Sequence, residues 1–315
     1  MDKLKKCVLI HNSKSGIGVN KIPYERVIDI AYSYGYSMII EKTRRKGHTI
    51  DIVKELPDDV DLVIAAGGDG TFNEAVTGNL KRKKKLVLSH LPIGTVNDVG
   101  TMYGFSKNIE VDLEWIFTGV KKNIDVIMVN GIPFVYCAAY GNLVNVSYET
   151  PRKLKEFLGR IGYLLFATKE INEEIKTNHL KITQNGETHE GDYSFMFITN
   201  SSRVAGVNNL YPDAKLDDNK FEVLLCSLTS KPAIVKSLFI LKNSNDLDNI
   251  PGCEYYRLSE LTIEFDHLPD KSWGIDGEEL KSKEKVFHFT INKDVYAVLP
   301  EYNVNKLFIE TKDNK

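Results

Sequence analysis

The chain has 315 residues, 42% of them hydrophobic and 27% charged, with a formal net charge of −2. These are the proportions of a soluble globular protein with one large or two ordinary domains. The near-neutral charge gives no general attraction for nucleic acid or an anionic membrane, and no apolar run approaches bilayer-spanning length.

The N-terminus, MDKLKKCVLIHN, carries basic residues and then only a short apolar run. It lacks a long apolar region and a small-residue cleavage site, so residues 7–12 read as a first strand and not as a secretory signal. Residues 23–34 place Val27, Ile30, Ala31 and Tyr34 at helical spacing. A second strand is predicted over 36–41, a short helix over 49–56 and a buried apolar strand over 61–66. That strand stops at Gly67-Gly68-Asp69-Gly70. A helix signal follows, with Thr71 as predicted N-cap and Glu74 as its capping-box partner. Residues 86–93 form a fourth strand ending at Gly94-Thr95, where Thr95 is predicted to cap the next helix with Asp98. This alternation predicts a parallel sheet with helices on its faces. Ligands in such sheets bind beyond the carboxyl ends of the strands. The residues there, at 12–16, 43, 67–73 and 94–98, are mostly small, polar or glycine.

The pattern changes after about residue 125. Asn130-Gly131 and Asn185-Gly186 sit between apolar runs, as hairpin turns do. FEVLLCSL, ELTIEFDHL and VFHFTIN add further strands. A helix is predicted over 151–171, with Leu154, Phe157, Leu158, Ile161, Leu164 and Leu165 as its apolar stripe. Burial against a sheet is preferred for it over a membrane surface. The predicted organisation is an α/β nucleotide-binding domain over 1–125 and a β-rich, antiparallel, sandwich-like domain over 126–299. Residues 300–315 form a tail that can pack back on the first domain. Cys7, Cys137, Cys226 and Cys253 have no C-x₂₋₄-C spacing, which argues against zinc. They read as reduced thiols, mostly in core strands, and fit a cytoplasmic setting.

Four clusters carry chemistry. A strand, a glycine turn and a helix start form a phosphate cradle. An aspartate inside that turn is costly beside phosphate unless it manages a cation, so Asp69 points to a nucleotide with Mg²⁺. Gly94-Thr95 offers a second such turn. The run Tyr211-Pro212-Asp213-Ala214-Lys215-Leu216-Asp217-Asp218-Asn219 is either a hard-cation site or a surface Asx turn. Trp273-Gly274-Ile275-Asp276-Gly277-Glu278-Glu279 is either a plain hairpin turn or a pair of carboxylates. One of these could take a proton and one could face a metal. The basic run at 81–85 reads as a solvated loop in preference to an anionic-lipid contact, and His48 and His90 as structural.

The combination of GGDGTFNE, LPIGTVNDVG, a P-x-A-x-L-x-D run and a late DGE resembles the bacterial soluble diacylglycerol kinase-like lipid kinases. These share a catalytic core with eukaryotic diacylglycerol and sphingosine kinases, and the resemblance covers nearly the whole chain. GGDGT alone also occurs in NAD kinases, and a GGDGS cousin in phosphofructokinases; GT-x-ND and the DGE separate the lipid kinases from both. The resemblance implies a fold in the NAD-kinase/diacylglycerol-kinase style, ATP with Mg²⁺, and phosphorylation of a lipid hydroxyl, diacylglycerol first. ATP would lie over Gly67, Gly68, Asp69, Gly70, Thr71, Phe72 and Asn73. Asn12, Ser13, Lys14, Ser15, Gly16 and Thr43 would complete the nucleotide site, with Thr95 near the phosphates. Glu278 would be the general base, and Asp276 beside it would serve the catalytic Mg²⁺. Asp218 would be the side-chain ligand of a structural Mg²⁺, with the carbonyls of Lys215 and Lys220 as backbone ligands. Asp69 and Asp125 would link that ion through waters to the nucleotide loop.

The chain departs from the family pattern in several places. Ser13 stands where Pro is usual and Ile17 where a basic residue is frequent. Val96 replaces a small residue or Thr. Asn219 replaces a Gly, and Asn tolerates left-handed backbone. The implied partner is a lipid at the membrane surface, met by peripheral contact without a transmembrane segment and without nucleic acid. A homodimer stays open, as does the acceptor, with phosphatidylglycerol, sphingoid bases and ceramide as alternatives to diacylglycerol. Two rival readings are an NAD or small-molecule kinase and a catalytically silent lipid-binding module. The intact Asp69, Asp276 and Glu278 argue against the second.

Overall fold

The computed structural model describes residues 3–13, 22–95, 97–141, 175–203, 211, 213–230, 233, 236–237, 240 and 250–309. The helix predicted over 151–171 lies outside them, as do Lys14, Ser15, Gly16 and Val96. The chain divides into two units: residues 1–126, 215–218 and 292–315 form the first, and residues 127–214 and 219–291 the second. The last division, between 291 and 292, falls inside the strand Val286–Leu299.

In the first unit, short apolar runs become β1 (Lys5–His11), β2 (Tyr36–Lys42), β3 (Leu62–Gly67) and β4 (Val87–Pro92). They pair in the order β2-β1-β3-β4, and every pairing is parallel. The end of β16 (Val286–Leu299) adds a further parallel strand beside β4. All six residues of the central β3 are buried, which explains why it reads as a continuous apolar run. Around the sheet run α1 (Tyr24–Ser33), α2 (His48–Glu55), α3 (Asp69–Leu80), α4 (Asp98–Tyr103), α5 (Ile109–Thr118) and α6 (Glu301–Leu307). The helix α1 buries Val27, Ile30 and Ala31. Tyr34 follows it and stacks on Phe117 with ring centroids 5.7 Å apart.

Both predicted capping boxes are corrected. The helix α3 starts at Asp69 with Gly68 as N-cap, so Thr71 lies within its first turn. The Glu74 carboxylate turns instead to α2, where it accepts the N–H of Gly47 at 2.8 Å and of Thr49 at 3.3 Å. The physical reason is that α2 has a glycine at its N-cap, in left-handed conformation and without a capping side chain. Its first N–H groups therefore need an acceptor from another element. Likewise α4 starts at Asp98 with Asn97 as N-cap, and Thr95 is exposed.

The basic run at 81–85 also differs from its sequence reading. The Arg82 side chain is only 3% exposed. Its guanidinium donates to the carbonyls of Val53 (2.9 Å), Lys54 (3.1 Å) and Leu56 (2.5 Å) and pairs with Asp58 at 2.6 Å. It closes the C-terminal end of α2, while the Lys85 ammonium donates to Leu80 O at 2.8 Å at the end of α3. These are helix-end partners of the kind that orphan carbonyls require.

In the second unit, the end of β5 (Val120–Val129) makes a hairpin with β6 (Ile132–Phe134). The strands β8 (Asn178–Gln184), β9 (Glu187–Tyr193) and β13 (Leu261–Phe265) join the start of β16 in the order β16-β13-β8-β9. A second sheet has the order β12-β11-β10-β7-β14-β15. Its strands are β7 (Cys137–Gly141), β10 (Phe195–Thr199), β11 (Phe221–Cys226), β12 (Cys253–Leu258), β14 (Trp273–Ile275) and β15 (Glu278–Leu280). The pairings are antiparallel, and both sheets supply one core that includes Tyr140, Met196, Phe221, Trp273, Phe287 and Phe289. Asn130-Gly131, Asn185-Gly186 and Asp276-Gly277 each make a two-residue turn with both φ angles near +50° to +80°. That is the type I′ geometry that Asn-Gly and Asp-Gly favour. Among the described residues, no helix is long and apolar enough to cross a membrane.

Replacing Arg82 by Ala would leave two α2 carbonyls and that of its C-cap, Leu56, without this donor, and a cost of about 2–4 kcal/mol is expected. The expected readout is a lower urea midpoint together with faster amide exchange in α2. An unchanged midpoint and unchanged exchange would deny Arg82 this role. The Asp58→Ala change removes an exposed partner and is expected to cost far less.

Candidate active site

Parallel strands gather their C-terminal ends on one edge of the sheet, and the sequence-predicted nucleotide residues stand there. Asn12 and Ser13 follow β1, Thr43 follows β2, Gly67 ends β3, and Gly94 and Thr95 follow β4. The Thr43 N–H donates to His11 O at 3.0 Å and the Asn12 N–H to Ala66 O at 2.9 Å, so these strand ends are tied together. The Asn12 side-chain amide donates to Thr71 Oγ1 at 3.1 Å. Phe72 and Asn73 lie in the first turns of α3, with Phe72 fully buried. His90 stacks on Phe72 at 5.2 Å and sits 3.3 Å from Gly67 O. Burial pulls its pKa down to about 4, so it is a neutral structural ring.

The turns after β3 and β4 press against each other. Gly67 O accepts the N–H groups of Ile93 at 3.0 Å and Gly94 at 3.2 Å. A Cβ at Gly94 would stand 2.5 Å from Gly68 Cα, and one at Gly67 would stand 2.3 Å from Thr71 Oγ1. Both positions are glycine because the protein itself leaves no room. Gly70 is different: a Cβ there would meet no described heavy atom within 4 Å.

Asp69 reaches across to the start of α4, where its carboxylate accepts the N–H of Asp98 at 2.9 Å and of Val99 at 3.1 Å. Burial pushes its pKa up to about 6, and the charge of Asp98 adds to the rise. The N–H bonds from Asp98, Val99 and Gly100 oppose it. Asn97 had no role in the sequence reading. It is 3% exposed, with φ +55°. Its side chain accepts the Gly94 N–H at 3.0 Å and donates to Gly94 O at 2.7 Å and Pro92 O at 3.0 Å. The Asn in GT-x-ND is therefore a clamp on the turn. The signal that could have found it is the taste of Asn for left-handed backbone.

The acidic turn holds Lys215 and Asp218 in the first unit and Lys220 in the second. Leu216 N–H donates to Leu307 O at 2.8 Å, and Leu216 O accepts the Asp125 N–H at 2.6 Å. The Asp217 carboxylate accepts Ile309 N–H at 2.9 Å. Asn219 adopts φ +59°, the left-handed conformation in which Asn stands in for Gly. Among the described residues no three His, Cys, Asp or Glu side chains form a metal cluster. A cation here would draw on Asp218 and on backbone carbonyls. That all-oxygen donor set fits Mg²⁺ or another hard cation.

In the second unit, Asp276 and Gly277 form the turn between β14 and β15, and Glu278 is the exposed first residue of β15. The Asp276 carboxylate accepts the N–H groups of Val135 (2.9 Å), Tyr136 (2.9 Å) and Cys137 (3.0 Å), and its own N–H donates to Cys137 O at 2.9 Å. This fixes the turn that presents Glu278 against the start of β7. By register, Asp276 lies in a polar row with Cys137, Thr199, Glu222 and Arg257 across the second sheet. The next row on the same face is Gly274, Ala139, Phe197, Leu224 and Tyr255.

A family model described as the diacylglycerol kinase catalytic domain matches residues 6–129. Diacylglycerol kinases of Staphylococcus aureus strains RF122 and JH9 are each 30% identical to the chain over 275 residues, covering 87% of it and 86% of theirs. Among solved structures, a candidate diacylglycerol kinase from Bacillus anthracis superposes with a TM-score of 0.78 at 22% identity. A diacylglycerol kinase from the same organism superposes with a TM-score of 0.75 at 23% identity. Each superposition covers 95% of this chain and 98% of the other, and shows that the fold is shared. By its sequence relatives and its catalytic-domain match, the chain belongs to the diacylglycerol kinase family and is a lipid kinase.

Proposed function

We propose that the protein transfers the γ-phosphoryl group of ATP to the free hydroxyl of diacylglycerol in a Mg²⁺-dependent reaction, with Glu278 as general base. The observation that carries this reading is Gly70. Packing explains the glycines at 67 and 94, but no described atom crowds position 70. A glycine at the N-terminal turn of α3, with space where a side chain would stand, suits the close approach of a phosphate to backbone N–H groups. Bound ATP and Mg²⁺ would supply the phosphoryl group and the charge neutralisation that its transfer needs.

The chain's own residues then divide the work. Asn12, Ser13, Thr43, Gly67 to Asn73 and Thr95 hold the nucleotide, with Lys14, Ser15 and Gly16 completing that set. Asp218 and the carbonyls of Lys215 and Lys220 hold the structural cation. Glu278 takes the proton from the acceptor hydroxyl, a step in which a positioned carboxylate typically contributes about 10²–10⁴-fold. Asp276 positions that base through its three backbone N–H bonds, and its remaining lone pairs can face the catalytic Mg²⁺. Diacylglycerol is favoured by the name of the relatives, and a lipid acceptor by the apolar row beside Asp276. Membrane contact is peripheral in this reading.

The direct test is incubation with labelled ATP and a panel of diacylglycerol, phosphatidylglycerol, sphingoid base and ceramide in mixed micelles. Phosphatidic acid is the expected product. Labelling of another lipid alone would overturn the acceptor, and labelling of an aqueous acceptor alone would overturn the lipid reading. The Glu278→Gln variant is expected to lose about 10²–10⁴ in kcat with the KM for ATP nearly unchanged. Wild-type turnover would remove Glu278 from the mechanism.

Two further variants separate fold from function. Gly70→Ala is expected to keep or slightly raise thermal stability, since Ala is favoured over Gly in a helix by roughly 0.5–1 kcal/mol. It should also raise the KM for ATP roughly tenfold, the equivalent of about 1.4 kcal/mol. A stable variant with unchanged KM would sink the phosphate reading of this turn. Asp218→Ala is expected to shift the Mg²⁺ dependence of turnover to higher concentration. An unchanged Mg²⁺ titration and rate would sink the cation assignment.

A further inference from the structure

Three of the four cysteines lie at strand ends in the second unit, and two of them face each other. Cys226 closes β11, Cys253 opens β12, and the two are direct antiparallel partners. The Ser227 N–H donates to Gly252 O at 2.9 Å. A bond from the residue after one cysteine to the residue before the other defines a non-hydrogen-bonded pair. Such pairs bring their Cα atoms to about 4.5 Å in a regular ladder. Disulfides span Cα separations of roughly 4.4–6.8 Å, so this position lies within their range. Directly opposed residues share a sheet face, so the two thiols stand side by side on one face of the sheet. Both are free thiols. The other two cysteines are placed elsewhere. Cys137 pairs with Thr199 at the far end of the same sheet, and Cys7 is buried in β1 of the first unit.

We propose that Cys226 and Cys253 form a reversible cross-strand disulfide, which makes this end of the second sheet a redox modification site for hydroperoxides. One thiolate attacks the O–O bond, takes one oxygen as a sulfenic acid and releases an alcohol, or water when the oxidant is hydrogen peroxide. The other thiol then attacks the sulfenic sulfur, the S–S bond forms, and water leaves. Two thiols lose two electrons and two protons, and the hydroperoxide is reduced to alcohol and water. A dithiol reductant returns both thiols by exchange.

The surroundings favour this chemistry. The neighbouring Cys253 thiol, helped by the Leu228 N–H, holds the Cys226 thiol below the ordinary thiol range. The same coupling pushes Cys253 well above it, so the pair gives up one proton readily and keeps the other. That leaves a nucleophile and a protonated neighbour at directly opposed positions. Cys226 is 3% exposed, while Cys253 is only partly buried, so a small oxidant reaches the pair from the Cys253 side. The bond would tie the edge strand β12 to β11. It would also close the chain between the two cysteines, which lowers the entropy of the unfolded state.

The test uses the full-length reduced protein, exposed to hydrogen peroxide and then alkylated under denaturing conditions. Peptide mass spectrometry is expected to find a 226–253 linked peptide that dithiothreitol abolishes, with Cys7 and Cys137 recovered alkylated. The oxidised protein is expected to melt at a higher temperature and to return to its first value after reduction. Cys253→Ser should remove the linked peptide and leave a dimedone-trappable sulfenic acid on Cys226. The wild-type measurement stands alone if that variant fails to fold. Recovery of Cys226 and Cys253 as alkylated thiols, under peroxide exposure that oxidises a control dithiol peptide, would overturn the proposal. A link from either residue to Cys7 or Cys137 would overturn it as well.

Discussion

The first unit depends on the close approach of two turns, one after β3 and one after β4. Backbone meets backbone there, with Gly68 against Gly94 and two N–H groups on Gly67 O. Asp69 completes the contact by placing a half-buried carboxylate on the first N–H groups of α4. A buried anion is costly unless its charge is met, and here a helix end meets it in place of a cationic side chain. Burial and the neighbouring charge of Asp98 still push its pKa up to about 6, against the pull of those donors. The oxygens of Asp69 thus serve the protein before they serve any cation, and they make the glycine turn a fixed object.

Asp276 repeats this solution in the second unit. It too sits in a short turn before a glycine, and its carboxylate collects N–H groups from a neighbouring segment, residues 135–137. In each case the aspartate anchors and the residue beyond it is presented: Gly70 at the head of α3, Glu278 at the head of β15. A loose turn would spread either residue over many positions. Effective phosphoryl transfer asks for position above all, since positioning and electrostatics account for most of the catalysis. Asn97 extends the logic, because its amide holds both the N–H and the carbonyl of Gly94 and ties them to Pro92 O.

Much of this was legible in the sequence, and the failures have a common cause. The strands β1 to β4 and the helix α1 announced themselves by local period, and the Asn130-Gly131 and Asn185-Gly186 turns by their type I′ chemistry. The caps did not. Thr71 followed by Glu74 has the spacing of a capping box, but Glu74 serves α2, whose own N-cap is a side-chain-free glycine. Arg82 reads as one charge among five and is instead the partner of carbonyls nearly thirty residues away. In both cases the deciding partner is distant in sequence, and local spacing carries no information about it. The strand β12 was missed for another reason. CEYYRL carries charges at two of its six positions, as an edge strand can, and so lacks the apolar run that marked its neighbours.

The two units bring their candidate site residues into place by different geometric rules, and the rules imply different tolerances. In the first unit, parallel strands deliver their ends to one edge whatever the length of the helices between them. Thr43, Gly67 and Thr95 are therefore gathered by topology, and a change of length in an intervening loop leaves the edge in place. In the second unit, gathering is by register. Asp276, Cys137, Thr199, Glu222 and Arg257 form a row only because each strand holds its neighbour at one fixed offset. A slip of one residue in β10 would send Thr199 and Phe197 to the core side and bring Ile198 and Met196 outward. The buried Glu222, 1% exposed and 3.5 Å from Arg257, works against the equivalent slip of β11 along β12. Moved by one position it would lose its cation and face the apolar core, which is among the costliest placements a carboxylate can have. The charged pair at the end of the row thus acts as a register lock between β11 and β12.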